Sequence, residues 1–285
     1  MTKPTGRTAF VFAGGGSLGA VQVGMLEALL EAGVTPDFVV GSSVGALNAG
    51  FFAGDPTAGG VANLAAIWRG LRRADVFPLT LRSALRWLGS ADALFESTNL
   101  RQLIERHLPY RNLEDAAIPV HVVATSLGGA SVCLSSGSAV EAILASAAIP
   151  VVFPSVEIGV EYLMDGAICG NTPVVTAAEL GAERLIVLPT GFACALSRPP
   201  GGAAARGFHA LTLIVAHQLV QDLAHLSGAV RVVTVPSLCP LDVSPFDFSK
   251  TEMLMDRAAR ETRAWIAGGG LSRQEVPGEL IPHSH

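Results

Sequence analysis

Charged and aromatic residues are scarce in this chain. Of its 285 residues 15% are charged and 6% aromatic, with two tyrosines and three tryptophans. What charge there is sums to -5 at neutral pH. With no basic surplus to neutralise phosphates, nucleic acid is not an expected partner. Cysteine is scarce too. Cys133, Cys169, Cys194 and Cys239 lie far apart and form no CxxC pair, so the expectation is buried free thiols, with no metal site and no redox motif. No uninterrupted apolar run approaches the roughly 20 residues that a membrane-crossing helix needs, although 209–220 is rather apolar. Lys3 and Arg7 before an apolar stretch would suit a signal peptide, but Gly14-Gly15-Gly16 breaks that stretch and a helical pattern follows. The expected location is the cytoplasm, or the surface of a membrane.

What the chain does have is apolar residues, which make up half of it, enough for a well-filled core. No composition break divides the chain, so one α/β domain over residues 1–270 is expected, followed by a flexible tail over 271–285. Residues 9–13 are continuously apolar, as a strand buried on both faces is. The spacing of Leu18, Val21, Met25, Leu26, Leu29 and Leu30 then predicts a helix stopped by Gly33. Residues 38–40 form a second buried strand, and small residues after position 43 a second helix, which completes a β-α-β-α opening. Further strands are predicted at 119–126, 131–134, 184–188 and 230–235. A hairpin is predicted over 156–164, and helices over much of 58–109, at 140–149, after the loop 197–207 and near 251–267.

Two glycine motifs carry the chemistry. Gly14-Gly15-Gly16-Ser17-Leu18-Gly19 fits G-x-G-x-x-G between a strand and a helix, as in a dinucleotide-binding turn. That fold needs an acid at the carboxyl end of its second strand to hold the ribose. Here that end carries Gly41-Ser42-Ser43, and the acid on offer, Asp37, stands at the opposite end. The competing reading takes Gly41-Ser42-Ser43-Val44-Gly45 as a nucleophile elbow, a G-x-S-x-G between strand and helix. Gly41 and Gly45 then let strand and helix approach, and Ser43 stands at the positive end of a helix. The backbone amides of Gly14, Gly15 and Gly16, at the end of the neighbouring strand, would bind the oxyanion of a tetrahedral intermediate.

The seven histidines, His107, His121, His209, His217, His225, His283 and His285, offer no base in an active-site-like loop. His217, Gln221 and His225 share a helix face and read as a partly solvated polar surface. Asp165 is the better candidate. It follows an apolar hairpin and precedes Gly166, which allows a sharp turn towards the site. A carboxylate near its reference pKa of about 3.9 is a weak base for a serine hydroxyl, so burial must raise it.

Taken together, the glycine loop, the Ser43 elbow and Asp165-Gly166-Ala167, in that order, resemble the patatin-like phospholipases. Ala145-Ser146-Ala147-Ala148-Ile149-Pro150, Pro154, Asn171 and Pro173 extend the likeness over roughly residues 9–190. The resemblance implies a three-layer α/β/α sandwich with a mainly parallel sheet. It also implies a Ser43–Asp165 dyad, an oxyanion hole from Gly14 to Gly16, no cofactor, and a lipid or other acyl-ester substrate. Many members of that family have Arg or Lys where this chain has Leu18, so a positive charge that would favour a phosphate-bearing substrate is missing here. Residues 77–95 mix Leu79, Leu81, Leu85, Trp87 and Leu88 with Arg82 and Arg86. They read either as a surface helix over the core or as a lid that meets a membrane surface. A dinucleotide-dependent oxidoreductase and a catalytically silent lipid-binding relative stay open beside the hydrolase.

Overall fold

Strands without a polar face need cover on both sides, and the runs at 9–13 and 38–40 obtain it. In the computed structural model, which describes residues 6–77, 93–191, 194, 201–226 and 228–274, they become β1 (Thr8–Phe12) and β2 (Phe38–Ser42), buried throughout. The other strands are β3 (Val120–Ser126), β4 (Ser131–Leu134), β5 (Val156–Ile158), β6 (Glu161–Met164), β7 (Arg184–Leu188) and β8 (Arg231–Thr234). The helices are α1 (Ala20–Glu31), α2 (Val44–Gly54), α3 (Ala58–Gly70), α4 (Arg73–Val76), α5 (Thr98–His107), α6 (Ala139–Ser146), α7 (Ala167–Gly170), α8 (Val174–Glu179), α9 (Ala203–His225) and α10 (Thr251–Ala267).

The strands form one sheet in the order β5-β6-β3-β2-β1-β7-β8, with β4 also on β3. From β3 through β8 neighbouring strands are parallel, whereas β4, β5 and β6 add antiparallel pairings at one side. Side chains of β1 alternate between the two faces. Phe10 and Phe12 join the larger core with α1, α2, α3 and α10, while Ala9 and Val11 join the smaller one with α8 and the end of α9. A mixed, mostly parallel sheet between two helical layers is the expected α/β/α sandwich. On the larger face α1 and α10 touch backbone to backbone: a Cβ on Gly24 would stand 2.1 Å from the Met255 carbonyl oxygen.

Three details differ from the sequence reading. Helix α6 ends at Ser146 rather than at 149, because Pro150 biases the residue before it away from helical geometry, and the strand-end residues Asp165 and Gly166 take up carbonyls there. Cys133 is exposed and the other three thiols are only half-buried, with the Cys194 and Cys239 sulfurs 4.0 Å apart. The spacing of Leu100, Leu103, Ile104 and Leu108 predicts one buried face on α5, but Leu100 and Ile104 are buried and Leu103 and Leu108 only partly so. Most of the 77–95 segment, including Arg82 and Arg86, lies outside the described residues, as do His283 and His285. No helix among the described residues is long and apolar enough to cross a membrane.

Candidate active site

Parallel strands bring their carboxyl ends to one edge, and the loops beyond β1 and β2 meet there. The turn after β2 is possible only with glycine on both sides of it. A Cβ on Gly41 would lie 2.3 Å from the Gly45 carbonyl oxygen, and one on Gly45 would lie 2.3 Å from that of Phe12. Between them Ser43 has φ 55° and ψ -126° at the N-terminal end of α2, a conformation whose strain is of order 1–3 kcal/mol. Ser146 holds it: its Oγ accepts the Ser43 N–H at 2.8 Å and itself donates to the Val123 carbonyl.

The register of the sheet brings the carboxylate to the same place. On β3, Ser42 pairs with Val123 and Met164 with Thr125. Because β4 occupies the opposite edge of β3, β6 continues along the edge that β2 leaves, and the residue after each strand end projects into a shared space. The Asp165 N–H donates to the Ala148 carbonyl (3.0 Å) and the Gly166 N–H to that of Ser146 (3.1 Å), so the end of α6 fixes this turn as well. Asp165 is 2% exposed. Its Oδ2 accepts the Ser43 hydroxyl at 2.7 Å and its Oδ1 the Ala167 N–H at 2.8 Å. Burial pushes its pKa up to about 7, opposed by these two hydrogen bonds.

The glycine loop closes the other side. The Gly14 N–H is already engaged, donating to the Asn171 carbonyl at 2.9 Å, and its own carbonyl accepts the Thr190 hydroxyl at 2.7 Å. The N–H groups of Gly15 and Gly16 donate to no described residue. Gly16 has φ +59°, and a Cβ there would meet the Pro245 carbonyl oxygen at 2.5 Å. Below the loop, the Gln22 amide donates to the last carbonyls of two strand ends, Ala13 at 2.8 Å and Leu188 at 2.9 Å. Asn48 donates to Gln22 Oε1 and to the Gly19 carbonyl, and accepts from the Trp68 indole. This chain of buried amides ties the loop to three helices.

Ser43, Asp165 and Gly14 to Gly16 all line one cavity of about 980 Å³ of empty space, part of it open to solvent. Its other walls are mostly apolar: Leu18, Phe77, Ile149, Ile168, Leu211 and Val215 among them. No Lys, Arg or His is among the described lining residues. His217, Gln221 and His225 are exposed on α9, away from the cavity. Among the described residues, no group of three His, Cys, Asp or Glu could hold a metal ion. Asp37 accepts the Thr8 N–H at 2.7 Å at the amino end of the sheet, opposite the glycine loop, so the acid that a ribose would need is absent from the site. Ser146, Gln22 and Thr190 escaped the sequence reading as site residues. Only Ser146 carried a signal, its place in the Ala145–Pro150 likeness.

The family model described as patatin-like phospholipase matches residues 10–178. Among curated proteins, the chain is 27% identical over 187 residues to patatin-like phospholipase domain-containing protein 7 of Mus musculus, with 64% of this chain and 13% of that protein covered. To patatin-like phospholipase domain-containing protein 6 of Homo sapiens it is 28% identical over 192 residues, 66% of this chain and 14% of that protein. An uncharacterized NTE family protein of Mycobacterium tuberculosis is 32% identical over 179 residues, 62% of this chain and 29% of that protein. The matched segment is thus a minor part of each of these longer relatives. The crystal structure of VipD from Legionella pneumophila aligns with 95% of this chain and 68% of its own at a TM-score of 0.45 and 14% identity. Since the family model spans more than half of its length, the chain belongs to the patatin-like phospholipase family.

Proposed function

We propose that the protein hydrolyses carboxylic esters of lipids through Ser43 and Asp165. The observation that carries this reading is the 2.7 Å hydrogen bond from the Ser43 hydroxyl to Asp165 Oδ2 at the floor of an apolar cavity. In the ionised form, Asp165 takes the Ser43 proton as Oγ attacks the acyl carbonyl. The oxygen of the tetrahedral intermediate is held by the Gly15 and Gly16 N–H groups, each such donor contributing about 3 kcal/mol. Collapse expels the alcohol, which leaves with the proton from Asp165, and an acyl group remains on Ser43. Water then attacks, its proton passes to Asp165, and a second collapse frees the fatty acid and restores the serine.

A described lining with no Lys, Arg or His favours an acyl ester whose reacting end bears no phosphate. Leu18 is buried where a cation would otherwise approach the site, and an apolar wall accommodates the acyl chain. Incubation with a fluorophosphonate tests the reading: one adduct per chain is expected on Ser43, together with hydrolysis of nitrophenyl esters, and both are lost in Ser43→Ala. Absence of an adduct in the parent protein contradicts it and leaves a silent relative.

A further inference from the structure

The mouth of the cavity is ringed by side chains that a water-facing surface does not need. Val151 is 67% exposed and Ile214 64%, and Ile168 and Leu211 are exposed as well, with Ile214 one turn from Leu211 on the same side of α9. Ile168 and Leu211 also line the cavity, and Val151 follows the lining residue Pro150, so the inner wall and the outer rim are one continuous apolar surface. Patches of this kind on a water-facing surface mark an interaction site.

Two further observations bear on what this surface meets. Val151 occupies the third position of a turn closed by the Val152 N–H to the Ile149 carbonyl at 3.0 Å, with φ 71°. A β-branched residue is a rare outlier there. Glycine or aspartate would relieve the strain, yet the chain presents an apolar side chain to solvent at that point. Helix α9 is held from one end. Leu219, Leu223 and Leu226 are buried in the smaller core, whereas no described side chain from 206 to 218 is buried. One hydrogen bond, from Gln218 to the Cys169 carbonyl at 2.7 Å, ties it to α7, which carries Ile168. Between Arg206 and Asp222 this helix contains no Asp, Glu, Lys or Arg.

We infer that the rim formed by Val151, Ile168 and the face of α9 that carries Leu211 and Ile214 docks on a zwitterionic lipid surface, so that the acyl chain passes from that surface into the cavity without crossing water. The inference rests on the hydrolase reading for the identity of the cavity's ligand. Charge selects the kind of surface: the described rim residues carry none and the chain's net charge is -5, which favours a zwitterionic over an anionic lipid surface. Docking of this type draws on apolar area, and its strength scales with the area buried.

The test uses the full chain as Ser43→Ala, so that binding does not depend on hydrolysis, with flotation on phosphatidylcholine vesicles. The Ser43→Ala protein floats with the vesicles. Adding Val151→Asp and Ile214→Glu lowers its partitioning about tenfold or more, with a melting temperature at or above that of Ser43→Ala, because aspartate accepts a positive φ more readily than valine. Equal binding by the triply substituted chain overturns the inference. So does binding that appears only when phosphatidylglycerol is added, which would point instead to a basic element such as Arg82 and Arg86. Failure to bind phosphatidylcholine, with a concentration-dependent dimer that the two substitutions abolish, assigns the rim to a second copy of the chain and also overturns it. The two readings fail separately. An unreactive Ser43 with vesicle binding intact removes the hydrolase and keeps the docking surface, whereas fluorophosphonate labelling without vesicle binding does the reverse.

Discussion

The two sides of the cavity are built in opposite ways. On the sheet side, Ser43, Asp165 and the glycine loop are fixed by hydrogen bonds to neighbouring backbone: Ser146 to Ser43, Ala148 to Asp165, Asn171 to Gly14 and Gln22 to two strand ends. On the helix side, Leu211 and Val215 reach the cavity from a stretch of α9 with no buried described side chain. The reacting groups need placement to a fraction of an ångström, which dense hydrogen bonding supplies. An acyl chain needs only an apolar wall, and a helix anchored at one end provides that. Under the proposed function, chemistry and substrate contact therefore draw on different kinds of stability, and substitutions on the two sides should behave differently.

The largest effect expected is that of Ser43→Ala, which lowers ester hydrolysis about ten-thousandfold or more while the chain stays folded. Asp165→Asn follows, with a loss of about a thousandfold in kcat/KM. It also has a consequence for stability whose sign is fixed. The folded-state pKa of about 7 lies above the value near 3.9 of an unfolded chain, so the folded state binds this proton more tightly and stability falls as pH rises from about 4 to 7. Asn carries no such penalty, and thermal melts should show the variant gaining more over the parent at pH 8 than at pH 5.

Gln22→Leu probes the support beneath the glycine loop. It removes the two hydrogen bonds of the Gln22 amide to the Ala13 and Leu188 carbonyls and the one from Asn48 to Gln22 Oε1, so denaturant unfolding should register a loss of about 2–4 kcal/mol. Kinetics should register a fall in kcat of about tenfold or more, since the loop amides lose their placement. Leu211→Ser on the helix side is the smallest. Its cost in stability stays within about 0.5 kcal/mol because the side chain is exposed. The KM for a long-chain ester rises about fivefold through the lost apolar contact. A large loss of stability from Leu211→Ser, or none from Gln22→Leu, would break the contrast between the two sides.

The same contrast governs what the sequence made legible. Gly41, Gly45 and Gly16 could be read because backbone atoms crowd their positions and nothing larger fits, and that constraint leaves a pattern in the chain. The strands could be read because two-faced burial demands apolar runs. Ser146 and Gln22 were far less legible. Each acts through a hydrogen bond to residues distant in the chain, which a helical pattern does not mark, and only the Ala145–Pro150 likeness singles out Ser146. The glycine loop was legible as a segment but not in its inner division, since only the fold brings the Asn171 carbonyl to the Gly14 amide and leaves the Gly15 and Gly16 amides without a described acceptor. The role of α9 was illegible for another reason: an apolar helix reads the same whether it faces a core, a cavity or a lipid surface.

The central claim is that burial makes Asp165 a base for Ser43. It is tested most directly by the rate of fluorophosphonate labelling as a function of pH, in the parent and in Asp165→Asn. The account predicts a rate that rises through about pH 7 to a plateau in the parent, and a rate about a thousandfold lower and without that inflection in the variant. A parent rate that does not change between pH 5 and 9, or an Asp165→Asn rate equal to the parent's, would contradict it.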